Sequence, residues 1–399
     1  MMRTEHESWL RRLAWLAVLA TLGLIVTGGL VTSKGVGMAV PDWPTTYGYN
    51  MFWFPIHLWR GGIFYEHSHR LWASVVGMLT AVLAAWIWVR ESRGAARWIG
   101  LALIVATLGL MGVRTQGLFI VMACAALAFI VFGISRAARD AQPVRWWAAV
   151  AFAAVLVQGV LGGIRVTAMN NEIGIFHGTL AQLFLVLLAA LALSTTRFWR
   201  ELPSSGVAAG VAQFRKVLLG VAVLVLLQLI LGASMRHQHA GLAVPDFPLA
   251  HGKLWPATDP ASIEAYNRAR ADAHDPNPVT AGHVLLHMAH RLVACGLFAV
   301  SLALLIVTKR RLGRGHGLAR FAVGWHVLVV LQFALGAFTV LSQKAADIAT
   351  LHVFLGALTL VSIALAAVCG FHLARANGAV DGGSARPAHS VSAGAAGAA

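Results

Sequence analysis

Four histidines stand at matched places in this chain: His69, His177, His290 and His352. Neutral imidazole is the commonest metal ligand among side chains. Two imidazoles on facing helices, at one depth, are what axial ligation of a haem iron requires. His177 lies five residues past Glu172, and His352 five past Asp347. At about 1.5 Å per residue, each is therefore within ~10 Å of the start of its helix. One such histidine alone is more often a hydrogen-bonded side chain between helices, but a matched set of four favours ligation. Zinc fits less well, because no Cys or carboxylate supplies a third and fourth ligand beside both pairs. Arg70 and Arg291 directly follow two of the histidines. Arginine forms bidentate, charge-assisted bonds to carboxylates, so both are candidates for the haem propionates. Glu66 precedes His69 by three residues, on the same helical face, where the second set has His287. A carboxylate there suits proton transfer; its bland alternative is an acid favoured by the helix dipole. The aromatic segment 42–55, DWPTTYGYNMFWFP, is a candidate lid over the first site or an interfacial belt.

The elements that position these residues are membrane helices. Of 399 residues, 58% are hydrophobic and only 12% charged, and mean hydropathy is +0.73. Soluble domains carry about 25% charged residues, so a soluble globular protein is excluded, as is a disordered one. Ten runs lack Asp, Glu, Lys and Arg: 13–33, 71–89, 98–113, 115–135, 146–164, 173–196, 217–235, 292–308, 321–343 and 348–374. The expected fold is all-α, a polytopic bundle of about ten transmembrane helices. With the N-terminus in the cytoplasm, the inner segments hold 20 basic and 6 acidic residues, and the outer ones 11 and 9. This is the positive-inside pattern, so the net charge of +16 reflects topology and not a nucleic-acid surface. Cys124, Cys295 and Cys369 all lie in apolar runs, which excludes a disulfide framework or a CxxC motif. The N-terminus reads as uncleaved, and residues 375–399 as a disordered tail.

The chain repeats itself. GMAVPDWP begins at Gly37 and GLAVPDFP at Gly241, an offset of 204. EHSHR (66–70) and HMAHR (287–291) are offset by 221, and LVQGVLGGIRV (156–166) and VLQFALGAFTV (330–340) by 174. The last two offsets differ by 47, which marks an insertion in the first half, and 98–136 is the obvious hairpin. The expected organisation is a four-helix half over 12–196 that holds this insertion, and a second four-helix half over 214–374. In a respiratory cytochrome b bundle one helix carries two histidines about four turns apart. Here each helix carries one, at the outer end, so both sites lie toward one face. His326, near an inner helix end and without a partner in the repeat, reads as structural.

E-x-x-H-R on the second helix, the VPDWP loop, the Q-G-x-L-G-G-x-R-V helix, the later His and the repeated plan resemble the haem A synthase family (Cox15/CtaA). The resemblance covers roughly residues 12–373, the hairpin excepted. It implies an oxidoreductase that converts haem O to haem A by oxidising the methyl group on porphyrin carbon 8 to a formyl. It further implies haem b, with its iron, in the C-terminal half on His290 and His352. The substrate haem would lie in the N-terminal half, with His69 and His177 lining its site and Glu66 serving its chemistry. The implied partners are haem O from a haem O synthase, a terminal oxidase or its assembly factors, an electron acceptor and membrane lipid, and a homo-oligomer is allowed. The implied setting is the bacterial cytoplasmic (inner) membrane, with both termini cytoplasmic and the haem sites toward the outer face. Departures are the extra hairpin and outer loops without the cysteine pairs of some members. Two other readings stay open: a di-haem electron-transfer subunit, and a repeat-built transporter that uses His as proton sites.

Overall fold

Hydrocarbon offers no hydrogen bonds, so a chain this apolar must satisfy its backbone within each span, and helices do so. A computed structural model describes residues 2–113, 115–140, 143–205, 208–270 and 277–383. The first half contains α1 (Met2–Ser33), α2 (Gly61–Glu91), α3 (Gly94–Met111), α4 (Gln116–Arg139), α5 (Val144–Thr167) and α6 (Asn171–Ser194). The short α7 (Arg197–Glu201) leads to α8 (Ala208–His237) and, in the long second loop, α9 (Pro260–Ala269). The chain then continues through α10 (Ala281–Leu312), α11 (Gly317–Leu341) and α12 (Ala346–Gly383). Ten of the described helices are long and apolar enough to cross a membrane, so the architecture is an all-α polytopic bundle.

Two helix groups are evident from the packing. In one, α1 lies against α2 and α6, and α5 lies between α2 and α6. In the other, α8 lies against α10 and, most extensively, α12, with α11 packed on both α10 and α12. Each group surrounds its own apolar core. Leu83, Ile87, Leu185 and Leu188 centre the first; Leu218, Leu304, Trp325 and Ile363 centre the second. The groups meet where α12 touches α1 and where α6 touches α8 and α12. α5, packed on α2, α4 and α6, is buried on every side from Ala148 to Ala153, as expected of a helix enclosed by its neighbours.

The inserted segment differs from a closed hairpin. α3 packs on α2 and α4 on α5, and neither makes its main contacts with the other. Trp88 of α2 holds α3: its indole lies on Gly100, where a Cβ would stand 1.9 Å away, and donates to Ala96 O at 2.9 Å. Gly133 of α4 gives similar room to Val150 of α5. α12 continues to Gly383, so residues 375–383, expected as the start of a disordered tail, are helical. Residues 384–399 of that tail lie outside the described residues.

Both long loops, the one before α2 and the one before α10, build the same small device. β1 (Thr45–Thr46) pairs with β2 (Tyr49–Asn50) through a two-residue turn at Tyr47–Gly48, both with positive φ. The second loop repeats it 204 residues later: Ala250 bridges Lys253 around His251–Gly252, again with positive φ. Such turns match the twist of paired strands and favour glycine. α9 is held over the second turn by Tyr266, whose ring stacks on His251 at 3.5 Å.

Candidate functional site

Each of the four histidines lies against a glycine of a neighbouring helix. His69 (α2) faces Gly28 (α1), and His177 (α6) faces Gly162 (α5). His290 (α10) faces Gly232 (α8), and His352 (α12) faces Gly336 (α11). A Cβ at these glycines would stand 2.9, 3.2, 3.2 and 3.1 Å from the respective imidazole Cε1. Glycine is what lets each ring settle onto the facing backbone. Gly28 and Gly232 keep the 204 offset, and Gly162 and Gly336 the 174 offset, so the repeat extends to the surroundings of each ring. His69 and His177 lie within electrostatic reach of each other, as do His290 and His352.

The polar partners of the rings differ between the pairs. Gln158 donates to His177 O at 3.1 Å, and Gln332, its repeat counterpart, to His352 O at 2.9 Å. Gln228 donates to His290 O at 3.0 Å, and its Nε2 lies 3.1 Å from His290 Nε2. Leu24 takes the place of Gln228 in the first half; there Thr27 Oγ1 meets His69 Nδ1 at 3.0 Å. The buried Nδ1 atoms of His177, His290 and His352 have no hydrogen-bond partner. An orphaned buried polar atom costs about 1–3 kcal/mol, and a ligated metal relieves that cost at an imidazole. Among the described residues no three or more His, Cys, Asp or Glu gather as a metal site. Paired imidazoles suit a haem iron, whose other four ligands come from the macrocycle, so the donor set fits haem. His326 instead bonds Ser301 Oγ through Nδ1 at 2.8 Å.

Glu66, Arg70 and Arg291 all engage the backbone of the long loops. Glu66 is 3% exposed. Its Oε2 accepts the Val40 N–H at 2.8 Å, and its Oε1 accepts Arg70 Nη2 at 2.8 Å. Arg70 also donates to the carbonyls of Asp42, Thr45 and Val40 at 2.7, 3.0 and 2.7 Å. Arg291 matches it, donating to Leu249 O, Val244 O and Asp246 O at 2.9, 3.2 and 2.7 Å. Both guanidiniums thus clamp the outer loops. The adjacent His67, fully buried, carries Thr46 on its Nδ1 at 3.2 Å and packs against Phe54 and Trp59. The aspartates of the two PDxP motifs complete the loops. Burial pushes the Asp42 carboxyl up, but the Gly48 N–H, the Thr45 hydroxyl and the Tyr47 N–H together hold it below 3.8. Asp246 is likewise raised by burial and lowered further by the N–H groups of Gly252 and His251, for a net shift below 3.8.

Besides Arg70 and Arg291, which are within reach of His69 and His290, two cations that sequence reasoning did not single out, Arg165 and Arg236, lie near the histidine pairs. Arg165 is within reach of His69 and His177, and Arg236 of His352. The loop aromatics are divided. Trp43 lies on Gly163 of α5 and against Phe119 of α4, while Phe52 and Trp53 are 60% and 79% exposed. Beside Trp43 an apolar cleft opens, lined by Met111, Phe119, Met122 and Gly159. In the second half Phe333 stands at the place of Gly159 and packs on Phe247 at 6.2 Å.

The sequence profile of the cytochrome oxidase assembly protein family, COX15-CtaA, matches residues 114–364 of this chain. A "Heme A synthase" of Novosphingobium aromaticivorans is 26% identical over 305 residues, covering 74% of this chain and 68% of that protein. Another, of Halalkalibacterium halodurans, is 23% identical over 310 residues, covering 76% and 77%. The match spans well over half of the chain, from α4 through α12, and contains three of the four glycine-seated histidines: this chain belongs to the COX15-CtaA family of cytochrome oxidase assembly proteins.

Proposed function

We propose that this chain is a haem A synthase, which oxidises the carbon-8 methyl of haem O to the formyl of haem A. The observation that carries the reading is the matched set of four imidazoles, each on a glycine, in two pairs. His290 and His352 hold haem b; His69 and His177 line the site of haem O. Two asymmetries support this division of the halves. The second pair has glutamines on both of its ring-bearing neighbours, Gln228 and Gln332, which suits a retained cofactor. The first half has a small apolar opening at Gly159, one turn from Gly162, where Phe333 stands in the second half, and this looser packing suits a site whose occupant is exchanged.

The haem supplies electron removal from an unactivated methyl, which no side chain can provide. The chain's own residues position and enclose. Trp43 covers the outer end of α5, and Arg70 and Glu66 hold the Trp43 loop in place. Both Glu66 oxygens carry donors, so Glu66 acts as a positioning residue and serves the chemistry through the loop. The proposed setting is a bacterial inner membrane with both termini cytoplasmic and the outer loops over the haem sites. Haem O arrives from its synthase, and haem A passes to a terminal oxidase or its assembly factors.

The test is co-expression with a haem O source, followed by extraction and chromatography of the haems. Haem A should accumulate, and the purified protein should show a low-spin b-type spectrum. His290→Ala or His352→Ala should remove that spectrum more completely than His69→Ala. Unaltered haem O beside two permanently bound b haems would instead make the protein an electron-transfer subunit, and the absence of any haem would refute both.

A further inference from the structure

Arg165 and Arg236 occupy equivalent depths. Arg165 lies three residues past Gly162 on α5, and Arg236 four past Gly232 on α8. Each is therefore one turn nearer the outer loops than the glycine carrying a histidine ring, on the same helical face. His237 stands between them. A Cβ at Gly174 of α6 would meet His237 Cε1 at 2.4 Å and Arg165 Nε at 3.0 Å, so both side chains share that glycine. His237 is within reach of Arg165, Arg236 and His177. A row from His177 through Arg165, His237 and Arg236 to His352 thus crosses from one helix group to the other.

This row is short of negative charge. Among the described residues neither arginine forms an ion pair. Arg165 has one weak contact, Nη1 to Gly37 O at 3.4 Å, and its buried Nε has no partner. Arg236 donates through Nη2 to Gly29 O at 2.8 Å and to Ser33 Oγ, both on α1. The one acid within reach of Arg165 is Glu66, which already carries Arg70 and Val40. Buried cations without counter-charge are costly unless a ligand supplies it, and carboxylate is the anion that an arginine fork fits.

Building on the haem reading above, we infer that Arg165, His237 and Arg236 form a bridge that receives the carboxylate side chains of both macrocycles. Arg165 takes those of the haem between His69 and His177. Arg236 takes those of the haem between His290 and His352. His237 lies where the two sets meet, so the two haems are coupled edge to edge through one cationic row. Arg70 and Arg291 are instead engaged by several loop carbonyls each, which leaves them fewer free donors than Arg165.

The test uses the full chain in detergent, stripped of haem, titrated with iron protoporphyrin IX and with its dimethyl ester, both read by absorbance. The wild type should bind the diacid about tenfold or more tighter than the diester at each site, as charged hydrogen bonds of this kind imply. Arg236→Gln should abolish that ratio only in the phase that His352→Ala removes, and Arg165→Gln only in the other. Arg165→Lys and Arg236→Lys, which keep charge and fold, should retain part of the ratio. Wild-type ratios in the glutamine variants would overturn the bridge. Equal weakening of diacid and diester would also overturn it, assigning the arginines to lipid phosphate or to structure. Failure of the wild type to bind either porphyrin would overturn the haem reading itself, and the bridge with it.

Discussion

Removing the Glu66 carboxylate should loosen the first outer loop by an amount set by its two bonds. The Glu66–Arg70 side chains are 4% and 10% exposed, and their contact is 2.8 Å. Glu66→Ala strands the buried Val40 N–H, at about 1–3 kcal/mol. It also leaves Arg70 without counter-charge, and breaking a buried pair from one side costs about 3–5 kcal/mol. The two losses overlap, because Arg70 keeps its three loop carbonyls. The expected net is therefore about 3–5 kcal/mol, a hundredfold or greater rise in loop opening at about 1.4 kcal/mol per decade. Amide hydrogen exchange over residues 38–50 measures that opening directly. A double-mutant cycle with Arg70→Ala should show a coupling of at least ~1.5 kcal/mol, within the range for directly contacting groups. The haem proposed for His290 and His352 should keep its spectrum throughout, since the loop beside it is clamped by Arg291. Coupling below ~0.5 kcal/mol, the scatter of independent sites, would refute the clamp. Glu66 would then stand free for the proton transfer that its spacing suggests.

The remaining predictions concern the glycine seats, topology and acid stability. Gly28→Ala places a methyl 2.9 Å from the His69 ring, and Gly162→Ala one at 3.2 Å from His177; haem titration of the first site should be weakened more by the former. Tags after residues 95 and 312 should report one side of the membrane, and a tag within 255–270 the other. A tag after residue 140 should report with the first two, and the opposite result would mean that α3 and α4 together cross once. Asp42 and Asp246 are held below 3.8. Their contribution is therefore fully present above the unfolded carboxylate pKa and is lost as pH falls through the lower folded value. Protease resistance of both outer loops should stay level from pH 8 to about 4 and fall only below that.

The spans were legible because lipid excludes charge: each charge-free run lies within or close to the bounds of one helix. The helices run past those bounds, α2 from Gly61 against a run starting at residue 71, and α10 from Ala281 against one starting at 292. These flanking turns hold the buried His67 and His287, the glycine-seated His69 and His290 and the loop-bound Arg70 and Arg291, so a polar side chain there marks the end of an apolar run and not the end of a helix. The histidines stood out because both halves carry them. The glycines beneath them follow the same offsets, but glycine is common in membrane helices and does not attract notice without contacts. Arg165 and Arg236 were passed over for the opposite reason. Their repeat counterparts are Thr339 and Thr32, so a search for symmetric pairs discards them. Arg70 and Arg291 were visible as a pair, but sequence does not show that loop carbonyls 25 to 47 residues earlier engage them.

The shortness of α3 governs how its flank of the molecule meets the bilayer. Its 18 residues rise about 27 Å, less than the roughly 30 Å of a hydrocarbon layer. Arg93 and Arg97 stand at its beginning, where such cations favour the headgroup region, and Arg97 Nε donates to Ser92 O. Met111, its last residue and one wall of the Gly159 cleft, then falls short of the opposite headgroups unless the membrane thins to meet it. Either way the apolar lining of that cleft matches acyl chains better than water. On the proposed function, a greasy macrocycle dissolved in the leaflet would reach it by lateral diffusion in two dimensions, without passing through the aqueous phase.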